Sequence, residues 1–537
     1  MMPARALALA VTVAALAAGS AHAASVCASS CSFQAPAGSG ALLVFNGHGW
    51  GHGVGMSQYG AYGYALHGAT YDQIIAHYYP GTTLGPAPTS TIRVLLADKK
   101  KKVTISADGN VSVVDGAGAR HTLPAGAYTY TPATLQWPAP LTFSPPRGSY
   151  LTLGRTYRGK ILLDVVDGKL RAIDIVGLEQ YLWSVVPSEM PSNWASEALK
   201  AQAVAARSYA LATRAVGAPF DAYPDTRSQM YLGVSSESSA ATAAVNATQG
   251  RVALYGGTVA ETFFYSTSGG QTESSADWTG TAVPYLVSVP DPYDGLSPYH
   301  TWGPVPMTAS AVLKALKLRG PIMDVTTTKN QAGRVAQLKL TTPLQALAVP
   351  ATKLRTTIGL RSTWFTVGLL SLTQPQPVVP VTYGSTVALA SVVRGFSGVT
   401  LEQRPSGADW QSVRPVAAGS TQLTATPTIT TDFRLSTSTV AAGAVRIRVM
   451  PAVTITSALS TGVTGSAQPV LPDAAVDVQQ QNPDLTWTSI GTGAVAADGT
   501  FTVAAAPAPG ATVRIVVTPA TTSGYAAGAS AAETVSG

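Results

Sequence analysis

Residues 177–211 read GLEQYLWSVVPSEMPSNWASEALKAQAVAARSYAL, and this stretch contains two amphipathic segments separated by a proline-flanked corner. In the first segment, apolar residues recur with the spacing of one helix face, at Leu178, Tyr181, Leu182 and Val185. Pro187 and Pro191 each disfavour helical geometry in the residue before them, so residues 188–190 are expected to leave the helix. The sequence therefore predicts a helix that ends at the corner.

The corner carries a single carboxylate, Glu189, and a second predicted helix follows it. Ser196 is a favourable N-cap, and residues 198–203 are strong helix formers. A carboxylate held at such a corner, with tryptophans nearby in sequence, would be partly desolvated, and desolvation raises a carboxyl pKa towards neutrality. The residues alone leave a plain alternative open, namely an ordinary capping or solvated glutamate.

Composition and the first residues indicate an exported protein. The chain has 537 residues, enough for several domains. Residues 1–23 combine Arg5, an apolar stretch and an A-x-A cleavage site, which predicts a secretory signal peptide. No later window is apolar enough to cross a bilayer, so the mature protein is expected to be secreted, with residues 24–45 as a tether.

Charge and cysteine content narrow the functional classes further. The formal net charge is +7 and only 11% of residues are charged, which gives no sign of a nucleic-acid binder. Cys27 and Cys31 are the two cysteines, and in an oxidising compartment a local disulfide between them is plausible. They make a weak zinc site, because structural zinc wants four ligands.

A glycine-rich segment, NGHGWGHGVGMSQYGAYGYALHG, begins at Asn46, and glycines at this density allow a backbone to approach a ligand closely. His48 and His52 invite a metal interpretation, but they lie in a glycine loop without acidic or cysteine partners, which favours hydrogen-bonding histidines. Helices are predicted for residues 57–67 and 71–79.

Most of the remaining chain has the alternation of β-strands. Between residues 91 and 174, Asp108-Gly109 and Asp167-Gly168 separate apolar runs and predict two tight hairpins. From residue 371 onwards the chain is rich in Thr, Val, Gly and Pro, and turn signals recur at the spacing of a β-sandwich. Two modules are predicted there, residues 371–451 and 452–537, with no ligand indicated.

Several of these segments resemble one protein family. LEQYLWSVVPSEMPSNWASEALKAQAVAARSYA, GHGVGMSQYGAYGYA, DTRSQMYLG and YSTSGGQTESS are similar to motifs of the SpoIID/LytB family, which includes peptidoglycan lytic transglycosylases and amidase enhancers. The order differs, because here the GHG segment precedes the EMP corner, and such a permutation is tolerable if the ends of a domain lie close together. The resemblance implies an α+β SpoIID-like domain at residues 46–370, with a β-rich subdomain, followed by two all-β immunoglobulin-like modules.

The resemblance also implies a site and a reaction. Glu189 corresponds to the catalytic glutamate of the enzymatic members, acting without metal or cofactor on peptidoglycan glycan strands to leave 1,6-anhydro ends. The residues expected to line the groove and bind substrate are Lys200, Arg207, His48, His52, Gln58, Tyr59, Gln229, Tyr231, Ser268, Gly269 and Gly270. The Ser-Gly-Gly loop would offer backbone N–H groups to a sugar oxygen. Without the resemblance, Lys200 and Arg207 form an ordinary solvated basic stripe on one helix face.

Two other functions stay open on the sequence. The enhancer branch of the family suggests a non-catalytic wall protein that stimulates an N-acetylmuramoyl-L-alanine amidase. A third interpretation is an adhesin-like surface protein in which the two C-terminal modules have the main role. Both are compatible with a secreted, cell-wall-associated chain.

Overall fold

The computed structural model describes residues 33–36, 38–215, 217–374 and 378–536. The predicted signal peptide, residues 24–32 of the tether and both cysteines lie outside these ranges, so what the sequence indicates for them stays a prediction. The protein is rich in strands, with 41% strand and 16% helix. Within the described ranges, no helix has the length and apolar character needed to cross a bilayer.

The described residues form eight α-helices and two short 3₁₀ turns. The helices are α1 Gln58–Leu66, α2 Tyr71–Tyr78, α3 Leu178–Glu189, α4 Ser196–Ala212, α5 Ser239–Ala247, α6 Ser275–Thr279, α7 Ala309–Leu316 and α8 Ala351–Ile358. The 3₁₀ turns are Val234–Ser236 and Asp294–Leu296.

The strands fall into three groups along the chain. The first group is β1 Phe33–Gln34, β2 Leu42–His48, β3 Met56–Ser57, β4 Thr83–Pro86, β5 Thr91–Lys100, β6 Val103–Ala107, β7 Val111–Val114, β8 Arg120–Leu123, β9 Gly126–Tyr130, β10 Leu141–Ser144, β11 Leu151–Leu153, β12 Arg155–Tyr157, β13 Lys160–Val166 and β14 Lys169–Gly177. The second group is β15 Arg251–Tyr255, β16 Thr258–Val259, β17 Phe264–Tyr265, β18 Thr301–Thr308, β19 Asp324–Lys329, β20 Val335–Thr341, β21 Ala346–Pro350 and β22 Phe365–Thr373. The third group is β23 Val381–Thr382, β24 Val387–Arg394, β25 Val399–Pro405, β26 Gln411–Val416, β27 Gly419–Ala425, β28 Thr431–Ser436, β29 Val440–Ala441, β30 Val445–Ile447, β31 Val449–Met450, β32 Ala452–Leu459, β33 Gly462–Gln468, β34 Ala475–Gln481, β35 Trp487–Ala494, β36 Thr500–Val503, β37 Thr512–Thr518, β38 Gly528–Ala529 and β39 Glu533–Thr534.

The corner between α3 and α4 differs from the prediction in one respect. Helix α3 continues through Pro187 to Glu189, so residues 188 and 189 stay in the helix and only Met190 is extended. A proline in the last turn removes a single ladder hydrogen bond, and the Met190 N–H still donates to the Val186 carbonyl at 3.0 Å. Met190 precedes Pro191, and its extended backbone is the conformation favoured before proline.

Helices α3 and α4 are the centre of one hydrophobic core. The predicted apolar stripe of α3 is buried throughout, and α4 buries small residues against it, among them Ala203 and Ala206. Helix α4 begins at Ser196 with Ala195 as its N-cap and no side-chain cap, so Ser196 is not the cap that the sequence predicts. Burial of the apolar faces therefore fixes the pair, because such packing contributes more to helix stability than a cap does.

One of the two hairpins predicted between residues 91 and 174 is present. Asp167 and Gly168 both have positive φ and join the antiparallel pair β13–β14, as a tight two-residue turn requires. The Asp108-Gly109 prediction is wrong: β6 pairs with β9 and β11, whereas β7 pairs with β8 and β10. The Asp108 carboxylate instead accepts from the Tyr150 N–H at 2.9 Å, so the turn carries the chain between two sheets.

Strand β2 lies inside a five-stranded sheet with the order β18-β2-β22-β24-β27. Because strand side chains alternate, Leu43 and Phe45 enter the core beside α7 and α8, whereas Leu42 and Val44 enter the core of the following β-module. Residues 42–45 of the predicted tether are therefore structural. The predicted boundary after residue 370 falls within β22, which contributes Leu369 to the first core and Leu370 to the second.

The C-terminal part of the chain forms a separate sandwich. Strands β32, β33 and β36 form one sheet, and β34, β35 and β37 to β39 form another. Val463 and Phe501 of the first sheet share a core with Val478 and Ile515 of the second. The predicted start of this module at residue 452 coincides with the first residue of β32.

Candidate functional site

Glu189 ends helix α3 and is half-buried. Its Oε1 accepts a hydrogen bond from the Met230 N–H at 3.0 Å, and no cation pairs with it among the described residues. Burial raises the pKa of the Glu189 carboxyl above its ordinary value, and the Met230 N–H offsets part of that shift. The group is therefore suited to hold a proton at a pH where an exposed glutamate has lost it.

Helix α1 fixes the backbone of this corner. The Gln58 Nε2 donates to the main-chain oxygen of Glu189 at 3.0 Å and lies 3.5 Å from the Gln202 Oε1 of α4. Gln58, which follows the glycine loop, thus packs beside the EMP corner. Gln58 is buried and holds the corner, and its role as a substrate ligand stays a prediction.

An aromatic group lies beside the corner. The half-exposed Trp194 stacks on Tyr62 with ring centroids 4.6 Å apart, and its ring meets Tyr59 edge-on at 4.7 Å. Tyr59 is therefore placed against Trp194, and its role in binding substrate stays a prediction. Trp194 and Tyr62 are members of the site that the motifs do not predict, although Trp194 follows Glu189 by five positions.

Lys200 and Arg207 have different environments although they share a helix face. Lys200 is half-exposed and pairs with Glu197 of the same helix at 2.6 Å. The Arg207 side chain is 0% exposed, forms a bidentate pair with Glu179, and donates to the Arg251 and Val245 carbonyls. Arg207 cannot contact a glycan from this position, and its prediction as a substrate ligand is wrong.

Gln229 and Tyr231 are also internal. Gln229 accepts from the Tyr181 hydroxyl at 3.0 Å and donates to the Ala206 carbonyl at 3.2 Å, while the Tyr231 hydroxyl donates to Asp174 at 2.7 Å. Both side chains are 2% exposed. Their prediction as substrate ligands is wrong, because they anchor the strand-like segment whose Met230 N–H reaches Glu189.

The Ser-Gly-Gly loop is occupied by the protein itself. The carboxylate of Asp294 is fully buried and accepts from the N–H groups of Ser268 and Gly269 at 2.8 and 2.9 Å. It also accepts from the Ser57 hydroxyl and contacts the His300 Nδ1. The N–H groups of Ser268 and Gly269 are not free for a sugar, and the Ser268 hydroxyl accepts from the Gly270 N–H. The predicted anion-binding N–H groups of Ser268 and Gly269 are thus used within the fold, and a substrate role for Gly270 stays a prediction.

The two glycine-rich motifs interlock with each other. Trp50 and Thr267 exchange both backbone hydrogen bonds, at 2.8 and 3.0 Å, and β3 pairs in parallel with β17. A Cβ on Gly49 would lie 2.6 Å from the Ser268 oxygen, and one on Gly269 would lie 2.6 Å from the His48 Cβ. Glycine at these positions thus allows two segments of this chain, and not a ligand, to approach closely.

His52 is a structural histidine. Its Nδ1 accepts from the Val54 N–H at 3.1 Å, which leaves the Nε2 to donate to the Phe264 carbonyl at 3.1 Å. The ring stacks on Trp278 at 4.9 Å, and burial lowers its pKa to about 3. Its prediction as a substrate ligand is wrong, because both ring nitrogens are used within the fold.

His48 packs against Trp364 and His300, away from His52. Neither His48 nor His52 contacts Glu189. Across the described ranges, no group of three or more His, Cys, Asp or Glu side chains is placed to hold a metal ion.

A second carboxylate, Glu261, lies in the electrostatic neighbourhood of the corner. Burial raises its pKa. Burial, and to a lesser extent the negative charges of Glu261 and Glu189, raise the pKa of the Tyr209 phenol to about 12. Tyr209 of α4 is therefore close enough to feel the charge of both carboxylates. No sequence motif marks Glu261 as a site residue, and only the fold brings it to this face.

Residues 166–255 match the sequence profile of the SpoIID family, described as stage II sporulation protein. An uncharacterized protein of Brachyspira hyodysenteriae is 37% identical over 139 residues, which cover 25% of this chain and 38% of that protein. The stage II sporulation protein D of Bacillus subtilis is 35% identical over 145 residues, covering 24% and 42%. The amidase enhancer of the same organism is 38% identical over 113 residues, covering 21% and 15%. The chain thus spans less than half the length of these curated relatives.

Several solved structures match parts of this chain at low sequence identity. A tetra-tandem repeat of a large adhesion protein covers 83% of this chain and 98% of its own, at 12% identity and a TM-score of 0.17. Fibronectin(III)-like modules of Clostridium thermocellum CbhA cover 31% and 94%, at 12% identity and a TM-score of 0.13. These scores are too low to establish a shared overall fold.

Proposed function

We propose, from the match of residues 166–255 to the SpoIID profile and the similarity to a stage II sporulation protein D, that this protein is a lytic transglycosylase that cleaves the glycan strands of peptidoglycan. A cell-wall-related function follows from the family. We further propose that Glu189 is the catalytic side chain and that the protein is secreted and associated with the cell wall.

The observation that supports the reaction is the state of Glu189. Its carboxyl group is desolvated, its pKa is raised, and it accepts one backbone hydrogen bond without a neutralising cation among the described residues. A general acid needs a proton near the working pH, and burial without ion pairing is one way to retain it.

One carboxyl group is enough for an intramolecular displacement. Glu189 donates its proton to the glycosidic oxygen as the bond to C1 of N-acetylmuramic acid breaks. As a carboxylate, it then takes the proton from the 6-hydroxyl of the same sugar while that oxygen bonds to C1. The product is a 1,6-anhydro end, no water is consumed, and Glu189 finishes protonated as it began. Hydrolysis normally requires a second carboxylate flanking the bond.

The aromatic group beside the corner supplies a surface for the sugar rings. Trp194 is half-exposed and is braced by Tyr62 and Tyr59. An aromatic face of this kind packs against the apolar face of a pyranose while leaving the hydroxyl groups hydrated. The proposal places the strand across Trp194, with the scissile bond at Glu189.

The test is product analysis with a matched pair of variants. Purified protein is incubated with peptide-free and intact sacculi, and the products are identified by mass spectrometry. We expect Glu189→Gln to fold normally and to lower the rate of anhydro product by about 10²–10⁴-fold, the usual contribution of general acid–base catalysis. Glu533→Gln is the matched control, because Glu533 is exposed in a strand of the C-terminal sandwich. Full glycan cleavage by Glu189→Gln would show that the catalytic assignment is wrong.

A non-catalytic amidase enhancer is the second candidate function. It is favoured by the similarity to the Bacillus subtilis amidase enhancer, and by the buried, structural character of Arg207, Gln229 and the Ser-Gly-Gly loop. Residues that maintain the fold would be retained in a binding protein as well as in an enzyme. Peptide release that accelerates only when an amidase is added, without anhydro ends, would identify this function.

A further inference from the structure

A polar cavity of about 450 Å³ lies where β18, β2 and β22 run side by side. Its lining includes Asn46, His48, Thr301, Lys329, Trp364 and Thr366. None of these residues belongs to the corner around Glu189. A volume of this size is within the range of small-molecule sites in proteins, roughly 300–1,000 Å³.

His48 is half-exposed and lines the cavity. Its Nδ1 is buried and has no hydrogen-bond partner in the described protein. Burial and the nearby positive charges lower the pKa of His48, and the backbone of His300 acts in the opposite sense. The Nδ1 is enclosed by protein atoms, so a ligand in the cavity would contact the exposed part of the His48 ring.

Trp364 supplies an aromatic surface beside this histidine. The Trp364 and His48 ring centroids lie 5.1 Å apart, and the guanidinium of Arg334 lies 5.2 Å from the Trp364 ring. Trp364 is half-exposed where it lines the cavity, so part of its ring remains available. The combination of an aromatic ring with Asn46, Thr301 and Thr366 suits an amphipathic ligand that has a flat apolar face and several hydroxyl or amide groups.

Lys329 gives the cavity its charge. The residue is exposed at the end of β19 and forms no ion pair with any described residue. The other nearby cation, Arg334, is buried beside Glu273 at 3.6 Å and donates to the Ser268 and Gln271 carbonyls. An uncommitted ammonium group at the rim of a polar cavity favours an anionic group on the ligand.

We propose that this cavity binds a sugar residue that carries a carboxylate, with the pyranose against Trp364 and the carboxylate at Lys329. His48 and Asn46 provide hydrogen bonds to the polar substituents of the ring. N-acetylmuramic acid has this chemistry, and choosing it as the probe rests on the proposed function. The cavity is thus a binding site separate from the Glu189 corner.

The test compares two monosaccharides that differ by the carboxylate-bearing group. N-acetylmuramic acid and N-acetylglucosamine are titrated into the full chain by calorimetry or NMR, and neither has a glycosidic bond to cleave. We expect Lys329→Gln to weaken N-acetylmuramic acid binding about tenfold, as loss of one charged contact does, and to leave N-acetylglucosamine binding unchanged. Lys339→Gln is the matched control, because Lys339 is exposed on the neighbouring strand β20 and does not line the cavity.

Trp364→Leu should weaken the binding of both sugars, and Glu189→Gln should change neither. Equal binding of N-acetylmuramic acid by Lys329→Gln and the parent protein would overturn the inference, as would the absence of binding by the parent protein. Loss of monosaccharide binding in Glu189→Gln would place the ligand at the corner, which would overturn the inference and leave the proposed function standing. Unchanged cleavage by Glu189→Gln would instead refute the proposed function without affecting this site.

Discussion

Replacement of Arg207 by methionine tests whether this motif residue maintains the fold or binds glycan. The guanidinium donates to both oxygens of Glu179, at 3.0 and 2.6 Å, and to the carbonyls of Arg251 and Val245, at 3.0 and 3.3 Å. Arg207→Met fills a similar volume but removes all four of these hydrogen bonds. Glu179 would then be left with the Gly250 N–H, at 3.1 Å, and partial access to water.

The expected loss of stability is large. Removing one partner of a buried ion pair typically costs about 3–5 kcal/mol, and the partial exposure of Glu179 places this case near the lower value, about 3 kcal/mol. The exposed pair Arg227–Asp225 provides the matched control, because Arg227→Met at such a site should cost less than about 1 kcal/mol. Joint replacement of Arg207 and Glu179 by Met and Leu should recover part of the loss, since no unpaired charge is left behind.

Amide hydrogen exchange is the suitable assay, because it reports on α4 separately from the C-terminal modules. We expect faster exchange throughout α4 in Arg207→Met, and exchange near that of the parent protein in Arg227→Met. If α4 of Arg207→Met kept its protection and only glycan binding fell, the structural role assigned to Arg207 would be refuted.

Four further predictions concern the site and its supports. Asp294→Asn should destabilise the protein by about 2–4 kcal/mol, because the amide NH₂ would face a backbone N–H group that now donates to the carboxylate. An unchanged melting temperature would contradict this prediction. Gly49→Ala should lower the melting temperature, since φ is +74° and the new Cβ would meet the Ser268 oxygen, whereas Gly68→Ala, also at positive φ but in open space, should have the smaller effect. Burial raises the pKa of Glu189 in the folded state, so protonated Glu189 contributes stability that is complete below the pKa of the unfolded chain and is lost as pH rises through the folded pKa. In urea denaturation across that pH range, Glu189→Gln should therefore gain stability relative to the parent protein as pH rises. A stability difference that does not change with pH would contradict the raised pKa. Glu261→Gln should still yield anhydro ends, because the proposed reaction needs one carboxyl group, and loss of product would indicate a second catalytic carboxylate.

Local patterns in the sequence predict local structure well. The spacing of Leu178, Tyr181, Leu182 and Val185 identifies the buried face of α3, and Asp167-Gly168 identifies a hairpin, because helix faces and tight turns depend on a few neighbouring residues. Asp108-Gly109 has the same signal and predicts the wrong pairing. Its flanking strands find better partners in two different sheets, which no local pattern records.

The sequence does not predict which of the motif residues are exposed and which are enclosed. Lys200 and Arg207 share a face of α4, but only Arg207 lies against the Arg251 and Val245 carbonyls. Lys200 is therefore half-exposed, whereas Arg207 is enclosed. The Ser-Gly-Gly loop has the donors of an anion site, but Asp294, from a later segment, fills it. Burial of a polar group is decided by distant parts of the chain, and motif spacing does not contain that information.

The central position of β2 has a consequence for how the protein must assemble. Leu42 of this early strand pairs with Thr308 on one side and with Leu370 on the other, so both partners are synthesised hundreds of residues afterwards. Until then its four consecutive apolar residues have no sheet to enter, and closing so long a loop is a slow step. Completion of this region should therefore wait until most of the polypeptide has been made, and shortened chains that stop before residue 365 should aggregate through the exposed strand.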